Sequence, residues 1–175
     1  TVTISRLTIT NGTGVAGGNI TMASGSAFRA KDGSITLTAD GDANIAEVNA
    51  NSDADTVRGN VTINGTGNGG KNGDILDTND APLVTNNITA GTFAATAKGN
   101  IGALANPIEV NAATVGPLTT GGSANLNLTS GGNTLLQNAN ITGDLNLTGS
   151  GNLFLENNSV GNGANLDMTG SILTG

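Results

Sequence analysis

Carboxylates carry whatever acid–base or metal chemistry this sequence has, because it contains no His and no Cys. The usual catalytic triads and most zinc sites are thereby unavailable. What remains is the two-carboxylate chemistry of carbohydrate-cleaving enzymes. Two close pairs stand out, Asp40-Gly41-Asp42 and Asp53-Ala54-Asp55. On a strand, residues i and i+2 share a face, but Gly41 marks the first pair as a turn. A polysaccharide-cleaving site would also set aromatic platforms beside its acids, and the chain has neither Trp nor Tyr. Both pairs therefore read as structural or solvated carboxylates, and no catalytic residue is assigned. A third group, Asp74, Asp77 and Asp80, sits three residues apart beside the Gly-rich run Gly69-Gly70-Lys71-Asn72-Gly73. Hard oxygen ligands suit calcium, so these three are the candidate metal ligands. The Gly-Gly-x-Gly-x-Asp repeat of calcium-binding solenoids is missing, and Lys71 opposes a cation. No other cofactor is expected.

The elements that must position these acids announce themselves by repetition. Asn125-Leu126-Asn127-Leu128-Thr129 returns as Asp144-Leu145-Asn146-Leu147-Thr148 and again as Asn165-Leu166-Asp167-Met168-Thr169. Gly132-Asn133-Thr134-Leu135-Leu136-Gln137-Asn138 likewise matches Gly151-Asn152-Leu153-Phe154-Leu155-Glu156-Asn157. A period of about twenty residues, with apolar residues alternating against Asn and Thr, predicts short strands wound into a solenoid. Gly, Asn, Asp or Ser separates nearly every pair of candidate strands, and no window shows a helical period. The fold class expected is all-β, a parallel β-helix of about twenty residues per coil. Leu126 and Leu128 should point inward above Leu145 and Leu147, then above Leu166 and Met168. The stretch from 66 to 86 breaks the pattern and reads as a projecting loop insertion, where any specificity would lie.

Composition agrees with a narrow interior rather than a broad globular core. The 175 residues include 28 Gly and three Phe, 36% are hydrophobic and only 11% charged. Solubility must then rest on Asn, Thr, Ser and Gly. Net charge is −7, and all six basic residues precede position 99. No basic stripe is present, so nucleic acid is excluded as a partner, and no apolar run approaches a membrane-spanning length. Thr-x-Thr pairs such as Thr8-Ile9-Thr10 and Thr36-Leu37-Thr38 suggest an ice-binding face. They lose their register after position 38, and Thr is a favourable strand residue in any case.

One stretch carries a family resemblance. Thr92-Phe93-Ala94-Ala95-Thr96-Ala97-Lys98-Gly99-Asn100-Ile101-Gly102 leads into Asn106-Pro107-Ile108-Glu109-Val110-Asn111-Ala112, followed by Thr119-Thr120-Gly121-Gly122-Ser123-Ala124. This resembles large bacterial exoproteins of the filamentous-haemagglutinin type over about residues 86 to 175. The resemblance implies a right-handed parallel β-helix, a secreted or cell-surface location, and a role in adhesion and biofilm contact. The expected partners are a host or neighbouring-cell surface or extracellular matrix, together with adjoining coils or identical subunits. Residues 1 to 175 are expected to form one β-helix domain belonging to a longer solenoid, a rigid stalk and not an enzyme. A self-assembling extracellular filament and a polysaccharide lyase or hydrolase on the same fold are the alternatives.

Overall fold

A computed structural model describes residues 6–11, 17–79 and 86–175. Strands β1 (Arg6–Asn11), β2 (Ile20–Thr21), β3 (Ala27–Arg29), β4 (Ser34–Ala39), β5 (Ala43–Ile45) and β6 (Glu47–Asn49) come first. They are followed by β7 (Val61–Gly65), β8 (Ile75–Asp77), β9 (Ile88–Ala97), β10 (Ile108–Thr120), β11 (Ala124–Leu128) and β12 (Asn133–Gln137). The last are β13 (Ala139–Ile141), β14 (Leu145–Gly149), β15 (Asn152–Glu156), β16 (Ser159–Val160), β17 (Ala164–Met168) and β18 (Ile172–Thr174). The described residues contain no helix. Asp80, one of the three candidate metal ligands, lies outside them.

Every strand pairing among the described residues is parallel. One large sheet runs β1-β4-β7-β9-β10-β11-β14-β17, with further strands branching from it, and a smaller sheet runs β2-β5-β8. Each pass of the chain thus lays its strands on those of the pass before. The buried side chains form files across these passes. One file is Ile35, Val61, Phe93, Val115, Leu136 and Leu155. Another mixes large and small, as Ile20, Ala43, Ile75, Ile101, Ala124 and Leu145. The first five residues of the Phe93 file are fully buried. Each contributes about 1.5–3 kcal/mol relative to exposure, and the small Ala43 and Ala124 in the second file leave room for the Ile and Leu of neighbouring passes.

Three expectations are corrected. First, Leu126 lies beside Leu147 and Leu147 beside Leu166, whereas Leu145 lies between Ala124 and Ala164. The repeated pentapeptides therefore stack two residues out of the register their identity suggests. The inward face survives because a shift of two preserves side-chain direction, where a shift of one would invert it. The Gly132–Asn138 copy does stack as its identity suggests, with Asn133 on Asn152 and Gln137 on Glu156. Second, a spacing near twenty holds throughout from β9 onward but varies earlier: Ala27 pairs with Glu47, whereas Ile35 pairs with Val61 and Val61 with Phe93. The last two passes are longer because they accommodate exposed excursions over residues 52–58 and 68–72. Third, the stretch from 66 to 86 is not wholly a projecting loop. It contains β8, paired to β5, and Ile75 is fully buried and bridges to Ile101.

Candidate functional site

The acids singled out by spacing are used mostly to bind one pass to the next. Asp74 is buried, and its Oδ1 accepts the Asn100 backbone N–H at 2.6 Å and the Asn100 side-chain amide at 3.3 Å. The Asp77 Oδ1 accepts the Asn79 backbone N–H at 2.7 Å and Asn87 Nδ2 at 2.5 Å. Asp42 Oδ1 accepts the backbone N–H groups of Gly73 and Asp74 at 2.8 and 3.1 Å. Asp40 Oδ1 accepts from Thr66 Oγ1 and Asn68 Nδ2, while its Oδ2 is buried without a partner. These bonds make a ladder at one corner of the stack. Asn19 Oδ1 accepts the Asp42 N–H, Asp42 that of Asp74, Asp74 that of Asn100, Asn100 that of Ser123, and Ser123 Oγ that of Asp144. Each oxygen satisfies a corner amide that no strand partner reaches.

The acids that do converge come from two different passes. Asp32, Asp53 and Asp55 each offer an oxygen within 4.8 Å of the others, all three exposed. Lys31 Nζ lies 3.2 Å from Asp53 and 4.0 Å from Asp32, so a resident ammonium already serves this group. Asp55 also caps the Val57 N–H at 2.7 Å. The sequence pattern contains Asp53-Ala54-Asp55 but does not say which residue of the preceding pass stands over it. On another face, Arg29 forms a two-pronged bond to Glu47, at 2.9 and 2.6 Å. That bond holds the Glu47 carboxyl below the usual carboxylate range, against the opposing effect of partial burial. Burial, and then the charge of Asp77, pushes the Glu109 carboxyl above its usual range.

Two grooves mark the surface. One, of about 290 Å³, lies beside a tight hairpin closed by reciprocal backbone bonds between Ala103 and Asn106. Leu104 at its tip is 75% exposed, and Asn125, Asp144 and Asn146 line the opposite wall. The other, of about 440 Å³, is lined by Leu135, Phe154, Leu155, Glu156, Leu173 and Thr174. Leu135, Phe154 and Leu173 stand in register on successive passes. The neighbours of the first two, Thr134, Leu136 and Leu153, are buried, so strand alternation turns Leu135 and Phe154 outward. Neither belongs to the core or to the apolar side chains packed against it. The same outward file carries Thr92 and Thr114 on earlier passes. This apolar flank was legible in the sequence as Thr-Leu-Leu, Leu-Phe-Leu and Ile-Leu-Thr, three triplets that break the alternation nineteen residues apart. No helix of the described residues is long and apolar enough to cross a membrane. No family model matches the chain, and neither does any curated protein or solved structure.

Proposed function

We propose that the chain is a stretch of right-handed parallel β-helix serving as a rigid, adhesive stalk in a secreted or cell-surface bacterial protein of the filamentous-haemagglutinin type. The observation that carries this reading is the path of eight parallel strands from β1 to β17, each laid on the previous pass. Parallel strands joined by crossover connections wind right-handed in almost every known case. At about 4.8 Å per strand the path measures roughly 34 Å. A continuous backbone ladder with a dry interior resists bending, which is the property a stalk needs. Its outer surface, rich in Asn and Thr and poor in charge, suits contact with a host cell, a neighbouring cell or a biofilm matrix. Asp40, Asp42, Asp74 and Asp77 work as structural acceptors, in keeping with a role that is not enzymatic.

Small-angle scattering and bead adhesion test the two halves of this reading separately. The scattering profile should fit a rod whose cross-section stays constant along its axis; a sphere-like profile rejects the stalk. Beads coated with folded protein should attach to epithelial cells or to biofilm, and beads coated with heat-unfolded protein should not. Equal attachment by both preparations, or attachment by neither, rejects adhesion.

A further inference from the structure

The structure assigns the flank Leu135–Phe154–Leu173, with Glu156 at its border, as a docking surface for a cationic amphipathic segment of a partner protein. The inference rests on the stalk reading and names the chemistry of what one face of that stalk holds. Phe is scarce in this chain: of three, Phe93 is fully buried and Phe28 packs on the core. Phe154 alone faces outward, stacked between two Leu residues, with Leu173 46% exposed. Elsewhere the same file uses Thr, at 92 and 114, so folding makes no demand for apolar residues there. Contiguous outward apolar surface of this kind marks an interaction site, and an aromatic at its centre is the usual anchor.

Charge indicates the occupant. Glu156 lines the same groove, is exposed, and forms no ion pair among the described residues. From residue 99 onward the chain carries Glu109, Asp144, Glu156 and Asp167 and no Lys or Arg at all. A partner with apolar side chains alone would leave the Glu156 carboxylate unanswered, and a second copy of this flank would bring Glu156 against Glu156. Lys or Arg flanking two or three apolar side chains answers both features. Asn133 and Asn152, joined by an amide hydrogen bond at 3.0 Å, supply a neutral polar border on the opposite side.

The test uses the intact chain and a short labelled peptide alternating Leu and Lys, read by fluorescence anisotropy. A peptide alternating Leu and Glu is the control. Saturable binding of the Leu/Lys peptide is expected, with the control bound at least tenfold more weakly, on the scale of charge complementarity. Phe154→Thr should weaken binding about tenfold, and Glu156→Gln about threefold with a reduced salt dependence. Thr stands in this file at 92 and 114, so Phe154→Thr should keep the wild-type circular dichroism; Leu135→Thr provides a second variant. Equal binding of the two peptides, or binding unchanged in both Thr variants, overturns the proposal. So does a dimer that depends on Phe154, or a preference for a neutral or anionic polysaccharide. Scattering on the same samples reports whether the rod exists, so failure of the stalk and failure of the docking surface give different results.

Discussion

Asn87 joins three passes through one side chain. It is fully buried; its Nδ2 donates to the Ala46 carbonyl at 2.9 Å and to Asp77 Oδ1 at 2.5 Å, and its Oδ1 accepts the Glu109 N–H at 2.8 Å. Asn87→Ala strands a carbonyl and an amide in the interior and should cost about 2–3 kcal/mol, read as a lower urea midpoint. The neighbouring Glu109 makes a pH prediction. Its proton is held more tightly in the folded chain than in the unfolded one, so its favourable contribution is complete at low pH. That contribution declines as pH rises from the ordinary Glu range through the raised value. Glu109→Gln should therefore raise the Tm at neutral pH and flatten its slope in that window. The gain should be under about 1 kcal/mol, because the carboxyl is only partly buried and solvent screens it. Glu47 has the opposite sign, since its contribution is lost as pH falls through its depressed value. Glu47→Gln should accordingly destabilise at neutral pH and make little difference in acid.

Between elements, the corners hold the register. The oxygen ladder from Asn19 to Ser123 binds each turn to the following one, and glycines permit the closest approaches. Gly151, at a φ of +89°, would place a Cβ 1.9 Å from the Gly132 carbonyl oxygen, whereas a Cβ on Gly131, at +68°, meets nothing within 4 Å. Gly131→Ala should cost only the left-handed backbone preference, about 1–2 kcal/mol. Gly151→Ala should cost clearly more, because the backbones of two passes must separate. Thermal unfolding of the two variants side by side checks the order. Asn100→Ala removes the acceptor for the Ser123 N–H at 2.9 Å and one donor to Asp74, and should loosen β11 relative to β8.

As a whole, the molecule is a stack in which each pass is stabilised by its immediate neighbours. Stability in such a parallel sheet is uneven, and strands with fewer buried contacts open before well-packed ones. Ala164 to Thr174 is largely exposed, whereas β9 and β10 pair with one another along most of their length and carry fully buried Ile88, Phe93, Ile108 and Leu118. Hydrogen exchange should therefore run from slowest at Ile88 to Thr120 to fastest at β17 and β18. Uniform protection would mean a single cooperative unit. Phe93→Ala, at the centre of its file, should cost about 3–5 kcal/mol and abolish the protection gradient by weakening its middle.

The sequence by itself determined the all-β class, the short strands and the direction in which each Leu of the repeats points, because alternation with period two is a local property of the backbone. It also showed that Gly, Asn, Asp and Ser would form the turns between strands. Which residue stands above which was decided only by tertiary structure. A two-residue slip leaves every side chain on its own face, so the identity of the pentapeptides could not distinguish Leu145 beneath Leu126 from Leu147 beneath Leu126. For the same reason spacing along the chain grouped Asp74 with Asp77, while the stack bonds Asp74 to Asn100 and brings Asp32 to Asp53 and Asp55. The apolar flank is the intermediate case. Its three triplets were visible as sequence, but their alignment into one outward file required the passes to be in register.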